Sequence, residues 1–299
     1  MKQVNEETQI KQIYRHTFKQ KFMAYNSSPG SFIVLLLVLL SAIITMTVLG
    51  FLVAYILIKG IPYLTTNLFS FTYTSDNVSM MPSIINTMLI TLLSIIIAVP
   101  IGIFSAIYMV EYAKKGNKIV AAVRLTAETL TGIPSIVYGL FGMLFFVTTL
   151  KLGYSLLAGA LTLSIMVLPV IMRTTEEALL AVPDSYREGS FGLGAGRLRT
   201  VFRVVLPSAI PGILSGVVLS VGRIVGETAA LIYTAGTVAD LPNSLLSSGR
   251  TLSVHMYSLS SEGLHTNEAY ATAVILLVIV MLLNFASSYI AKKLGKKGE

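Results

Sequence analysis

Six stretches of the chain combine few charges with enough apolar side chains to cross a bilayer: about Ser31–Ile58, Ile84–Val110, Thr131–Leu150, Tyr154–Met172, Ala209–Tyr233 and Ala269–Ile290. Their lengths approach the about 20 residues that match the hydrocarbon thickness. In lipid no water satisfies open backbone groups, so these stretches must be helices, and the expected fold class is an all-α integral membrane protein with six transmembrane helices. Pro100, Gly132, Pro134, Gly139, Gly142 and Pro169 fall inside them. Such residues break soluble helices more readily than buried membrane ones, so kinks and close helix contacts are expected. The connections at about 59–83 and 235–268 are rich in Ser, Thr, Asn and Pro, as suits loops in an aqueous compartment. The resulting division is a cytoplasmic tail (1–30), a first transmembrane helix (31–58), an extracytoplasmic loop (59–83), a core of five helices (84–291) with a cytoplasmic loop at about 173–208, and a cytoplasmic tail (292–299).

Composition supports the membrane reading: 54% of the 299 residues are hydrophobic and only 12% charged. The formal charge of +8 reads as topology-setting charge beside spans, because no basic domain or aromatic-interleaved basic patch accompanies it to suggest nucleic acid. Lys and Arg fall mostly on alternate connections. One set comprises the N-terminal tail, the stretch with Lys114, Lys115, Lys118 and Arg124, the stretch with Arg187, Arg197, Arg199 and Arg203, and the tail with Lys292, Lys293, Lys296 and Lys297. The other holds only Lys59, Lys151 and Arg250. Positive residues favour the cytoplasm, so both termini are expected inside, which requires an even number of spans. The first thirty residues, with Lys2, Lys11, Arg15, Lys19 and Lys21, are too long and polar for a typical signal peptide, and the first span is expected to stay as an anchor. No cysteine is present, which excludes disulfides, thiolate metal sites and Cys nucleophiles. His16, His255 and His265 lack ligand spacing and read as surface histidines, with no metal site.

Charge inside the spans is the exception that needs a reason. Arg173 closes the fourth predicted span and Arg223 lies midway along the fifth, where an unpaired cation costs at least about 2.5–3.5 kcal/mol. Glu176 and Glu177 follow Arg173 by one helical turn, and Glu227 follows Arg223 in the same way, so each pair would share a helix face. One reading is an intrahelical ion pair that makes a buried arginine tolerable. The other is a transient oxyanion site: guanidinium offers a planar fork of donors, and the carboxylate keeps the empty site near neutral and accepts a hydroxyl of a protonated oxyanion. The two are compatible. Thr174, Thr175 and Thr228 read as helix-compatible polar residues, and Glu111 and Glu128, which flank the basic loop, as interfacial.

The segment Pro183-Asp-Ser-Tyr-Arg-Glu-Gly-Ser-Phe-Gly-Leu-Gly194, continuing to Val204-Val-Leu-Pro207, resembles the cytoplasmic coupling motif of importer permeases in the ATP-binding-cassette superfamily. That motif reads Glu-Ala-Ala, three residues, Gly, nine residues, Ile-x-Leu-Pro. Glu188, Gly194, Leu206 and Pro207 stand at its spacing; Gly189 and Ser190 replace the alanines and Val204 the isoleucine. A short helix that docks in a partner's groove needs small residues for close approach and a glycine where the chain reverses. Arg197, Arg199 and Arg203 either pair with an acidic ATPase rim or simply follow the inside-positive bias. A chain that hydrolysed ATP would need a phosphate-cradling loop ending Gly-Lys-Ser or Gly-Lys-Thr, which is absent, so the chain is expected not to be an enzyme and the ATPase to be a separate subunit.

Four further stretches carry a closer resemblance: Gly132-Ile-Pro-Ser-Ile-Val-Tyr-Gly-Leu-Phe-Gly142, Arg173-Thr-Thr-Glu-Glu-Ala178, Gly222-Arg-Ile-Val-Gly-Glu-Thr-Ala-Ala230 with Tyr233-Thr-Ala-Gly236, and Ala269-Tyr-Ala-Thr-Ala273. Together they are similar to the phosphate permease family, PstA, over some two thirds of the chain. The resemblance implies a type I importer permease fold in a bacterial cytoplasmic (inner) membrane, with a peripheral first span. It implies a substrate path at Arg173, Glu177, Arg223 and Glu227, and ATPase coupling at Glu188, Gly189, Ser190, Gly194, Leu206 and Pro207. It also implies a homologous PstC-like permease, a PstB-like cassette ATPase dimer that binds the ATP and Mg, and an extracytoplasmic PstS-like phosphate-binding protein; no cofactor is expected in this chain. Ser135 and Tyr138 lie in a matching motif but read as packing residues. The alternatives are a permease for sulfate or molybdate, an ATP-independent carrier or channel, and a non-transporting scaffold.

Overall fold

The computed structural model describes residues 29–295 apart from residue 115. The expectations for the N-terminal tail with its basic residues and His16, for Lys115, and for Lys296 and Lys297 lie outside the described residues. Residues up to Ile56 and residues from Leu57 form two compact units. The described residues of the first belong to α1 (Pro29–Gly60), whose last turn falls in the second unit and which is apolar around its circumference, as a lipid-exposed helix is expected to be.

In the second unit α2 (Met81–Ile107) continues through a π-helical turn at Tyr108–Tyr112. α3 (Lys118–Thr131) and α4 (Ser135–Gly142, prolonged by a π-helical stretch at Met143–Thr149) meet at a 105° bend. α5 (Leu156–Leu180) is followed by two short helices, α6 (Asp184–Gly192) and α7 (Arg197–Thr200). Then come α8 (Leu206–Val225), the single turn α9 (Ala229–Ile232), α10 (Leu252–Glu262) and α11 (Thr266–Gly295). Among the described residues five helical segments are long and apolar enough to cross a membrane, or six if the bent pair counts as one.

α5 is the central element and packs on α2, α8, α3 and α4. It and α2 approach closely because both carry small residues where they meet: a Cβ at Gly102 would stand 2.8 Å from Ile171 Cγ2. Serines join the pair, Ser94 Oγ donating to the Ala160 carbonyl and Ser164 Oγ to the Ser94 carbonyl, each at 3.2 Å. Leu163, Met166, Val167 and Ile171 of α5 bury against Ile90, Ala98 and Ile224 to form the main apolar core. Pro100 and Pro169 stay inside their helices, as expected of membrane prolines.

Two predicted spans come out differently. The stretch 131–150 is no single straight helix: Pro134 disfavours helical backbone at Ile133, and the chain turns there, with Tyr138 Oη donating to the Leu130 carbonyl across the elbow at 2.8 Å. The stretch 209–233 stops being helical at Val225, and Gly226 caps it.

The end of this unit that carries α6 is knotted by Arg187. Its guanidinium donates to Glu111 Oε1 at 2.8 and 3.1 Å, to the carbonyls of Val182 at 2.8 Å and Leu179 at 2.9 Å, and to Asp184 Oδ1 at 3.3 Å. Both ionic partners are sequestered, at 15% and 8% side-chain exposure. Glu111 is thus the buried counter-charge that fixes α6 to the end of α2 and to the last turn of α5, more than an interfacial residue. At the opposite end, loop 59–80 meets α10, where Arg250 is buried with its guanidinium 4.5 Å from the Tyr73 ring centre. His255 overturns the surface expectation, being 0% exposed; His265 stays part-exposed, 3.8 Å from Glu268. α10 carries apolar neighbours Leu252, Val254 and Leu259 inward with His255, which hydropathy of an isolated histidine does not reveal.

Two outcomes follow. Glu111→Gln leaves a buried guanidinium without its counter-charge and lowers unfolding stability of the purified protein by up to about 3 kcal/mol, two carbonyls still holding it. Asp184→Asn, at an exposed partner, leaves the unfolding midpoint unchanged; equal effects of the two would refute the junction. Burial, then the nearby Arg250 charge, pushes His255 down to about 3 from its ordinary 6.5. The folded state therefore binds this proton less well than the unfolded chain, and stability falls as pH drops below 6.5, by up to about 1.4 kcal/mol per pH unit. In thermal unfolding between pH 7 and pH 4, His255→Gln should flatten that slope.

Candidate functional site: charged path and inner docking helix

α5 runs past the predicted end of the fourth span, so Arg173 sits within a helix rather than at its terminus. There the intrahelical pair forms as the spacing requires, Arg173 Nε donating to Glu177 Oε1 at 3.1 Å. Both side chains are largely exposed, at 59% and 64%, so the pair adds little to stability and its donors stay within reach of a ligand. Glu176, one residue earlier, turns away from Arg173 and pairs across helices with Arg124 of α3. No helical spacing signals that contact, because it depends on the bend between α3 and α4.

The second expected pair does not form. Since α8 ends at Val225, Glu227 lies beyond the helix and the i,i+4 geometry is lost. The buried Glu227 carboxylate instead accepts the Ala230 N–H at 3.1 Å, closing the first turn of α9, while its carbonyl accepts Ser253 Oγ at 2.7 Å from α10. Arg223, half-buried in the last turn of α8, has no hydrogen bond or ion pair among the described residues. The result is a cation close to the apolar core with an unspent fork of donors.

The sequence motif after α5 folds as its residues dictate. Asp184 places a carboxylate in the first turn of α6, favourable to the helix dipole. The helix ends at Gly192, and Gly194 takes a φ of +82°, a left-handed conformation that glycine adopts without penalty. Ser190 Oγ lies 2.8 Å from Thr200 Oγ1, closing α6 onto α7. Leu206 opens α8 and packs on the apolar cluster of Met172, Leu179 and Val205, while Pro207 follows directly on a π-helical turn at Val201–Val205, an irregularity in the hydrogen-bond ladder that suits its missing N–H. Glu188 and Gly189 are exposed, and a Cβ at Gly189 would meet nothing within 4 Å. A mid-helix glycine costs about 1 kcal/mol relative to alanine, and nothing in this chain requires it here. Around it, in α6 and in the segment leading into α7, Tyr186, Phe191, Leu193 and Leu198 stand out from the surface beside the exposed Asp184, Ser185 and Glu188, Leu193 at 91% exposure, with open space at Gly189.

Residues 98–297 match the family described as "Binding-protein-dependent transport system inner membrane component". The chain is 34% identical over 280 residues to the probable ABC transporter permease protein YqgI of Bacillus subtilis, covering 87% of this chain and 94% of that protein. It is 33% identical over 249 residues to the phosphate transport system permease protein PstA of Pasteurella multocida, covering 79% of this chain and 85% of that one. A permease chain of a bacterial alginate ABC transporter, solved with its alginate-bound periplasmic protein, shares the fold with a TM-score of 0.63 at 17% identity, covering 86% of this chain and 95% of that one. Such permeases are transport subunits of the membrane, with ATPase activity in partner subunits and cargo delivered by a binding protein. The chain belongs to the family of inner-membrane components of binding-protein-dependent ABC transport systems.

Proposed function

We propose that this chain is the membrane-spanning permease subunit of an ATP-driven importer of inorganic phosphate, forming half of the translocation path. The observation that carries this reading is Arg223, a half-buried guanidinium at the end of an apolar helix that no carboxylate answers among the described residues. A passing oxyanion supplies what it lacks, and guanidinium suits the tetrahedral oxygens of phosphate bidentately. The name of the relative from Pasteurella multocida supports phosphate as that oxyanion. The path then comprises Arg223 with Glu227 and Arg173 with Glu177. Glu227 contributes by holding the turn after Arg223 in place, and Glu177 by occupying Arg173 between passages.

α6 is the proposed docking element for the ATPase, with Glu188, Gly189 and Ser190 at the contact, Gly194 reversing the chain, and Leu206 with Pro207 anchoring its return into α8. The unfilled space at Gly189 and the exposed apolar residues around it support a partner seated there. Arg187 ties that helix to α2 and α5, so a movement of α6 is passed to the bundle. The partners are a PstC-like permease, a PstB-like ATPase dimer that holds ATP and Mg, and a PstS-like phosphate-binding protein. Positive residues on the side of α3, α6 and α7 support a cytoplasmic location for that face and for both termini in a bacterial inner membrane. ATP binding closes the ATPase subunits, α6 follows them, and the two half-paths turn from outward to inward access.

Arg223→Gln should reduce ATP-driven phosphate uptake by the assembled transporter by about tenfold or more, the loss of a charge-assisted contact, while assembly persists. Unchanged uptake removes the oxyanion role. Gly189→Arg should leave the fold intact and ATP hydrolysis running, but abolish stimulation of hydrolysis by the loaded binding protein; preserved stimulation removes the docking role from α6.

A further inference from the structure

Beside Arg173 the structure opens a cavity of about 350 Å³ between α3 and the inner half of α5. Its polar lining is two guanidinium groups, Arg124 and Arg173, and three carboxylates, Glu128, Glu176 and Glu177. Each arginine is clasped by one glutamate, Arg124 Nη2 by Glu176 and Arg173 Nε by Glu177, and these are the only ion pairs either makes among the described residues. A guanidinium carries five N–H donors, so most donors of both forks remain unspent. Both side chains are half or more exposed, at 50% and 59%, which keeps those donors open to the cavity. Glu128 follows Arg124 by four residues and so shares its face of α3, yet forms no ion pair among the described residues.

We propose that Arg124 and Arg173 together form an inner oxyanion seat in which Glu176 and Glu177 hold the two guanidinium groups while the seat is empty. This rests on the phosphate reading above and deepens it: Arg173 is completed by Arg124 of the bent segment, a residue that sequence analysis left among the topology-setting charges. A tetrahedral oxyanion displaces the glutamates and takes up the free forks, exchanging one set of charge-assisted hydrogen bonds for another. The lining has one more carboxylate than guanidinium and so carries a net negative charge, which makes the seat hold an oxyanion weakly through the guanidinium forks and release it readily, as suits a station near the inner side. A carboxylate accepts a hydrogen bond and has none to donate when ionised. Protonated phosphate can donate to Glu128 or Glu177 through its hydroxyl, whereas fully ionised sulfate only repels them. The seat therefore selects phosphate over sulfate.

Because this chain holds no cysteine, a single introduced thiol is the one labelled in it, and labelling read on this chain after separation from its partners reports occupancy. Leu180 lines the cavity and is well exposed. In the complete reconstituted transporter carrying Leu180→Cys, inorganic phosphate should slow labelling by a charged thiol reagent at least about threefold, and sulfate should not. Adding Arg124→Gln should abolish that protection and cut phosphate uptake by about tenfold, the effect of one charge-assisted contact. Arg124→Lys, a point charge without the fork, should restore part of both, which loss of a purely structural clamp would not predict. Labelling indifferent to phosphate, protection that survives Arg124→Gln, or equal protection by sulfate overturns the seat. If the Leu180→Cys transporter takes up phosphate and yet is unprotected, the seat alone fails; if the unmutated transporter does not take up phosphate, the functional reading fails with it.

Discussion

A guanidinium placed in an apolar helix bundle is costly unless an anion answers it, and the half of this protein that carries α3, α6 and α7 is organised around that cost. Arg187 is answered by Glu111 and two carbonyls and becomes a rigid joint. Arg124 and Arg173 are answered by glutamates that stay close to an open cavity. Arg223 is left without an answer among the described residues. The difference is one of burial and saturation: a sequestered cation with all its donors engaged serves structure, whereas one with free donors beside open space is available to a passing ligand.

The same fold occurs in a transporter of an acidic polysaccharide at 17% identity, so the arrangement of helices does not decide the cargo. What the fold supplies is the mechanical frame: α5 packed against four neighbours, and α6 joined to it through Arg187, with exposed apolar side chains on α6 and on the segment into α7.

Much of this was legible in the sequence. Spans in lipid advertise themselves by composition, since their backbone bonds are local and their outer faces must be apolar, and Gly194 announced its positive φ through the motif spacing. What escaped was non-local or finer than a hydropathy window. The elbow at Gly132–Pro134 lies inside a run that reads as continuous, although the proline was visible and its effect on Ile133 was the available signal. The end of α8 at Val225 removed the expected Arg223–Glu227 pair, and Gly226 was the only hint. The bonds of Arg124 with Glu176 and of Arg187 with Glu111 join elements far apart in the chain, which no helical periodicity records. His255 is buried because its helix packs both Leu252 and Val254 inward, a tertiary fact rather than a property of histidine.

The central claim is that answered and unanswered cations in this bundle mark a path for phosphate driven by a separate ATPase. Its most direct test is uptake of labelled phosphate into vesicles containing the complete assembly with its ATPase and binding protein, with sulfate as competitor. The account predicts accumulation that requires ATP and is untouched by excess sulfate. Accumulation by the isolated chain without the ATPase, or displacement of phosphate by sulfate, would contradict it.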